Sequence, residues 1–302
     1  MERLSDTADH VLVSVNPKAG SGSRRQDVDE LVARLDGHGL CAEVSTDLDD
    51  VVERAGRWLA DGRLRAVVGA GGDGTMHQLL NRMPPNAPLA MLPLGTENLL
   101  AKYHRQRRGA GPLAEMLVAG QVTKFDTGRA NDRLFLLMAS AGFDAEVARR
   151  MAEGRGQNIS HLSYATPIFS AVWHYDYAPM NIVCETPDGE QQIEATFCFV
   201  FNLPRYGLGL PFAPEADGTD GLLDVCTFRR GSFYHGLRYL VAVALNRHHR
   251  LEDCTKLQVH RMKIESDGRV PYQLDGDPGG WLPLEIDVVR QRATLIVPAP
   301  RE

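Results

Sequence analysis

No stretch of this chain reaches the run of about eighteen apolar residues that a membrane-crossing helix needs, so no transmembrane segment is expected. The opening residues, MERLSDTADH, are polar and lack the apolar core of a secretory signal. Cysteine is sparse: Cys41, Cys184, Cys198, Cys226 and Cys254 are odd in number, scattered, and never spaced Cys-x-x-Cys. That pattern points to reduced, mostly buried thiols in a cytosolic protein rather than a disulfide framework. Basic excess is also missing. The net charge of −6 argues against a nucleic-acid partner. Two local basic clusters, Lys102–Arg108 and Arg247–Arg250, read as solvated surface, with weak contact to membrane phosphates left open. There is no internal repeat and no low-complexity tract.

What remains is a 302-residue globular composition, long enough for two domains that each bury a core. The first half alternates strand and helix. His10–Asn16, Ala42–Ser45, Ala66–Val68 and Leu89–Leu92 read as strands, and Asp27–Leu35 and the stretch from Asp49 to about Ala60 as helices. A helix also follows the third strand, with Met76, Leu79, Leu80 and Met83 on its apolar face, and another starts between Glu97 and Tyr103. Alternation of this kind predicts a parallel sheet with helices on both faces, and ligands then bind at the carboxyl ends of the strands.

Three such ends carry suitable loops: Asn16–Ser23, Gly71–Thr75 and Gly95–Asn98, with Thr46 at a fourth. The stretch Gly71-Gly72-Asp73-Gly74-Thr75 stands out. A glycine-rich turn between strand and helix lets main-chain N–H groups face an anion, and Thr75 can cap the helix or bond a phosphate oxygen. Asp73 fits if a divalent cation stands between it and the phosphates, or if it accepts a hydrogen bond. A plain structural turn is the alternative for each loop alone. The convergence of several at one sheet edge points to a nucleotide or phosphate site.

From about Val122 the chain becomes strand-rich. Val122–Ala130, Arg133–Ala139, Met180–Glu185, Gln191–Phe201, Leu222–Arg229, Thr255–Ile264, Val270–Leu274, Leu284–Val289 and Ala293–Val297 read as strands, with helices near Ala145–Ala152 and His161–His174. A further apolar helix, Phe233–Asn246, reads as packed on a core; a substrate-pocket wall or a membrane-facing surface is the alternative. The expected architecture is an α/β N-terminal domain over 1–124, a mainly-β, sandwich-like domain over 125–290, and a segment 291–302 returning to the first domain. Two turns in this half carry carboxylates beside glycines. Asp217-Gly218-Thr219-Asp220-Gly221 suits a cation loop or an ordinary hairpin turn. Asp275-Gly276-Asp277 suits a polar hairpin or, where it reaches a site, a general base.

Taken in order, Asn16-Pro17-Lys18-Ala19-Gly20, Gly71–Thr75, Leu92–Asn98, Asn202–Gly209, Asp220–Val225 and Asp275–Asp277 resemble the diacylglycerol kinase catalytic-domain family, which includes soluble bacterial lipid kinases and the sphingosine and ceramide kinases. The resemblance implies an NAD kinase/diacylglycerol kinase-like parallel-sheet domain, and transfer of the ATP γ-phosphoryl group to a lipid hydroxyl with Mg²⁺. It implies ATP contacts at Asn16, Thr46, the turn containing Gly71, Gly72, Asp73, Gly74 and Thr75, and at Thr96 and Asn98. The proton acceptor falls on Asp277, and a cation site on Asp220 with the carbonyls of Asp217 and Leu222. Two departures stand out: Leu99 occupies a position where the family carries a second Asp, and Asp277 one where Glu is commoner. The resemblance further implies a cytoplasmic protein in transient contact with its lipid substrate at a membrane surface, and it allows a homodimer that no residue pattern requires. An NAD kinase-like enzyme shares the glycine motif but not the full ordered set. A catalytically inactive lipid- or nucleotide-binding regulator is the reading that Leu99 favours.

Overall fold

The computed structural model of the protein describes residues 2–15, 22–154 and 175–299. The chain divides into a unit made of Met1–Asp126 with Arg290–Glu302, and a second made of Thr127–Val289.

In the first unit, β1 (Glu2–Arg3) precedes β2 (His10–Val15), α1 (Gly22–Gly37), β3 (Cys41–Ser45), α2 (Leu48–Ala60) and β4 (Leu64–Gly71). There follow α3 (Asp73–Arg82), β5 (Pro88–Pro93), α4 (Leu99–Tyr103), α5 (Ala110–Ala119) and β6 (Gln121–Ala130), which runs on past the unit boundary. The sheet runs β3-β2-β4-β5, all parallel, and the end of the last strand adds beside β5 through Thr294 and Leu295. Every residue of β4 is buried, as a central strand covered on both faces must be. Val28, Leu31 and Leu35 of α1 join Leu113 and Leu117 of α5 over Val11, Val13, Ala66 and Val68. On the opposite face α3 lies on β4, with Met76 and Leu79 against Gly69. Asp47 caps α2 by accepting the Asp49 N–H, and Asp49 and Asp50 place negative charge at its N-terminus.

The second unit holds β7 (Arg133–Phe135), β8 (Met138–Gly142), α6 (Phe143–Gly154), β9 (Met180–Thr186), β10 (Gly189–Ala195), β11 (Phe197–Phe201) and β12 (Leu223–Phe228). It continues with α7 (Phe233–Ala244), β13 (Cys254–Val259), β14 (Arg261–Glu265), β15 (Pro271–Leu274), β16 (Asp277–Trp281) and β17 (Leu284–Ile296). One antiparallel sheet runs β13-β12-β11-β8-β15-β16; a second layer pairs β10, β9, β14 and the first half of β17, also antiparallel. Ala139, Ala141, Val200 and Val225 from one sheet meet Ile182, Met262, Ile264 and Ile286 from the other in a single core. This is the sandwich that the alternating strands predict.

Three expected strands are interrupted, each for a local reason. The Arg133–Ala139 run breaks at Leu136 and Leu137, whose N–H groups are taken by the Asp275 carboxylate. Gln191–Phe201 breaks at Thr196, whose hydroxyl donates to the Arg229 carbonyl. Thr255–Ile264 breaks at His260, so that β13 and β14 join different sheets. Conversely, the two short C-terminal runs form one strand, β17. Helix α5 gives little amphipathic signal because its composition is almost wholly apolar, with Glu115 its only charged residue. The expected helix at 161–174 lies outside the described residues. Helix α7 forms and packs on the core by a narrow face only: Tyr239 and Val243 are buried against the sandwich, while six large apolar side chains on the helix and its C-cap face outward, so the expectation of a helix buried by its apolar run holds for one side alone. The cysteines are all free; Cys184, Cys198 and Cys226 are buried and Cys41 is exposed. Among the described residues, no helix is long and apolar enough to cross a membrane.

Candidate active site

In the first unit the parallel register places the carboxyl ends of β2, β3, β4 and β5 on one sheet edge. β3 lies to one side of β2 and β4 to the other, so the strand order reverses at β2, the position where open α/β sheets bind ligands. Asn16, at the end of β2, lies outside the described residues. Thr46 follows β3 and is exposed.

The glycine stretch after β4 is shorter as a turn than its sequence suggests. Gly72 is already the N-cap of α3 and Asp73 its first residue. Thr75 therefore sits inside the first helical turn and is not the cap; its side chain lies over Gly71, where a Cβ would collide with the hydroxyl. The N-cap residue, Gly72, has no side chain with which to cap the helix, and the start of α3 is the kind of helix N-terminus that suits an anion.

The turn after β5 is fastened to this one. A Cβ on Gly95 would stand 2.6 Å from the Gly72 Cα, so the two backbones touch because both residues are glycine. Leu94 donates its N–H to the Gly71 carbonyl. Asn98, buried and at φ +49°, closes its own turn: its Oδ1 accepts the Gly95 N–H at 3.0 Å and its Nδ2 donates to the Gly95 carbonyl at 2.8 Å. Both Asp73 carboxylate oxygens accept main-chain N–H groups, from Leu99 at 2.9 Å and Leu100 at 3.2 Å. Asp73 thereby caps α4. Thr96 is exposed at the tip, Leu99 is buried, and Glu97 accepts from Lys102. Gly71, Gly72, Asp73, Gly74, Thr75, Thr96 and Asn98 thus belong to one fastened pair of turns.

In the second unit Asp275 and Gly276, at φ +51° and +89°, form the two-residue tip between β15 and β16, the left-handed pair that an Asp-Gly hairpin needs. The two carboxylates of this tip differ. Asp275 accepts the N–H groups of Leu136, Leu137 and Met138 at 2.8, 2.8 and 3.0 Å. Asn202 grips the same segment from its other side, donating Nδ2 to the Leu136 carbonyl. Asp277 opens β16, partly exposed.

A network absent from the sequence reading supports this hairpin. The Gln273 side-chain oxygen accepts the Gly276 N–H at 2.7 Å, and its amide donates to Ser140 Oγ at 2.9 Å. Ser140 and Tyr206 each donate to the Asp144 carboxylate at 2.6 Å. Burial raises the Asp144 carboxyl above the ordinary carboxylate range, against the pull of these donors. Only Tyr206 fell within a recognisable motif; Asp144 and Gln273 lie 129 positions apart, with no local signal joining them.

The Asp217–Leu222 loop is a pair of tight side-chain turns. Asp217 Oδ1 accepts from Thr219 N and Oγ1, and Asp220 Oδ1 from Leu222 N. Its available donors are all oxygen, which suits a hard divalent cation. Among the described residues no three His, Cys, Asp or Glu side chains gather as a metal cluster, so a cation here would rely on main-chain carbonyls and water. The loop enters β12 at the same sheet edge as the Asp275 hairpin, since Asp224 pairs with Phe201 and Phe201 with Met138. β11 and β8 stand between, three strand steps of about 4.8 Å each. The loop and the hairpin are separate features of that edge. Burial pushes the Asp224 carboxyl beside the loop up to about 6.

A family model described as the diacylglycerol kinase catalytic domain matches residues 10–130, and one described as the YegS C-terminal NAD kinase beta sandwich-like domain matches residues 138–297. The chain is 28% identical to a protein of Mycobacterium tuberculosis named "Diacylglycerol kinase", over 96% of this chain and 95% of that one. It is 31% identical to a Pseudomonas putida protein named "Probable lipid kinase YegS-like", over 68% of this chain and 70% of the other. Its fold is similar to the crystal structure of a diacylglycerol kinase from Bacillus anthracis, with a TM-score of 0.70 at 20% identity, covering 96% of this chain and 97% of that one.

Proposed function

The chain belongs to the family of diacylglycerol kinase catalytic domains joined to a YegS-type C-terminal sandwich, and from that premise we propose that it is an ATP-dependent lipid kinase that phosphorylates the hydroxyl of a diacylglycerol-like lipid. The observation that carries this reading is the build of the Asp275–Asp277 hairpin: Asp275 anchors it through three main-chain N–H groups, Gln273 holds its tip, and Asp277, at the family's proton-acceptor position, stands partly exposed at the start of the next strand.

Phosphoryl transfer asks a protein chiefly for positioning and charge neutralisation. The α3 N-terminus, fastened to the Gly95–Asn98 turn, supplies main-chain donors for the nucleotide phosphates, with Thr46, Thr96 and Asn16 as further contacts. Mg²⁺, when bound, would offset phosphate charge, and Asp73 is the carboxylate of this turn that would help to hold it. Asp220 with the main-chain carbonyls of Asp217 and Leu222 would hold a cation of the second unit. Asp277 accepts the lipid hydroxyl proton as the O–H bond breaks and the new O–P bond forms, and ADP leaves.

The test is incubation of the purified protein with γ-labelled ATP, Mg²⁺ and mixed micelles of diacylglycerol, a sphingoid base or a long-chain alcohol, with NAD in parallel. Label is expected in the organic-extractable diacylglycerol product. Label in NADP, or in no product, overturns the reading.

A further inference from the structure

Among the described residues, six of the seven large apolar side chains that are exposed sit on α7 or its C-cap. They are Phe233, Tyr234, Leu237, Leu240, Val241 and Leu245, between 42% and 81% exposed. At 3.6 residues per turn they form one stripe, bordered by Arg238, while Tyr239 and Val243 hold the opposite side to the sandwich. A stripe of this length left about half or more open to water is costly and marks a surface that something covers.

The charges around it identify the occupant. The segment 229–253 carries five arginines and two carboxylates, a net charge of +3 in a chain whose total is −6. Arg229, Arg230, Arg238 and Arg250 line a depression of about 330 Å³ beside the helix together with Glu252 and Asp253; Arg238 is paired with Asp253 at 3.1 Å, while Arg229, Arg250 and Arg247, which follows the helix C-terminus, are exposed and carry the excess positive charge. Apolar residues flanked by arginine, with Phe233 and the highly exposed Tyr234 at the start of the helix, are the makeup of an element that lies in a bilayer interface. A second copy of the chain suits the surface poorly, because a two-fold contact would set two +3 segments against each other.

We propose that α7 is a membrane-docking element, seated with its apolar stripe at the acyl boundary of a bilayer and its flanking arginines on anionic phospholipid headgroups. The proposal rests on the lipid-kinase reading for its purpose, since it brings the enzyme to its substrate, but its test does not depend on turnover. The full chain is sedimented with vesicles of phosphatidylcholine alone, or of phosphatidylcholine with phosphatidylglycerol, without ATP. Two variants are compared: Leu237→Glu with Leu240→Glu, and Arg247→Glu with Arg250→Glu. All four positions are exposed, so both variants are expected to retain the native circular dichroism, which is checked first. The wild type is expected to bind anionic vesicles at least tenfold more tightly than neutral ones, to weaken with added salt, and to lose at least tenfold in either variant. Equal binding by the variants, or no anionic preference, overturns the proposal. So does a wild-type dimer that the leucine variant splits while vesicle binding persists. Phosphorylation of a short-chain, water-dispersed diacylglycerol is measured alongside. Retention of that activity in variants that no longer bind vesicles supports docking, and its loss in step with vesicle binding overturns the proposal. A wild type inactive on every acceptor ends the kinase reading and leaves the vesicle result standing.

Discussion

Asp73 and Leu99, 26 positions apart, are joined by a 2.9 Å hydrogen bond from the Leu99 main-chain N–H to the Asp73 carboxylate. The residue that opens one helix caps another. Asp73→Ala removes both acceptors of the α4 N-terminus and is expected to cost about 1–2 kcal/mol in urea unfolding. Asp73→Asn retains one acceptor and costs less. Both variants lose phosphoryl transfer if the carboxylate also serves the metal; an alanine variant of wild-type stability denies the capping role.

Gly95→Ala places a methyl group 2.6 Å from the Gly72 Cα, whereas Gly72→Ala meets the Gly95 Cα at 3.2 Å. The first is expected to destabilise by about 1–3 kcal/mol and the second by less. Thermal melting of both variants checks the order; the reverse order means that the two turns do not touch as described.

The two hairpin carboxylates separate by readout. Asp277→Asn is expected to lower kcat about 10²- to 10⁴-fold with stability and the KM for ATP retained. Asp275→Ala abandons three main-chain donors and is expected to cost on the order of 3 kcal/mol in stability. Steady-state kinetics beside urea denaturation distinguish them, and an Asp277→Asn enzyme with wild-type turnover removes that residue from the reaction.

His104 closes α4 with its ring against Tyr103 and Phe125 and its Nε2 buried without a hydrogen-bond partner. Burial pushes its pKa down to about 4 from an ordinary 6.5. The unfolded chain therefore takes up the proton first as pH falls. Stability from this group is complete above pH 6.5 and is lost between there and about pH 4, by up to about 3 kcal/mol. His104→Phe is expected to flatten that part of the stability profile, read from urea midpoints at pH 7 and pH 5. An unchanged slope assigns the acid sensitivity elsewhere.

The strand–helix rhythm of the first half was legible because each element carries its own period and its own boundary signal, as where the stretch from Asp49 opens a helix and the Gly71–Thr75 turn ends a strand. The glycine turns were legible as local chemistry. What the chain did not disclose were choices made at long range. The break at Leu136–Leu137 depends on Asp275, and the support of the hairpin depends on Ser140, Asp144 and Tyr206 meeting Gln273. Helix α7 misled for another reason: a rich apolar run has the same composition whether it faces a core or the outside, and only burial separates the two.

Strand β17 gives the chain an order of assembly. The edge of β5 is completed by Thr294 and Leu295, Lys124 reaches the Thr294 hydroxyl, and Arg292 holds the carbonyls of Leu80 and Met83. All three partners leave the ribosome after some 160 residues of the second unit. The nascent first unit waits through that interval with the backbone of β5 unpaired on one side, the kind of edge that recruits foreign strands. A chain halted near residue 289 would leave that edge open and is expected to aggregate rather than to serve as a smaller working part.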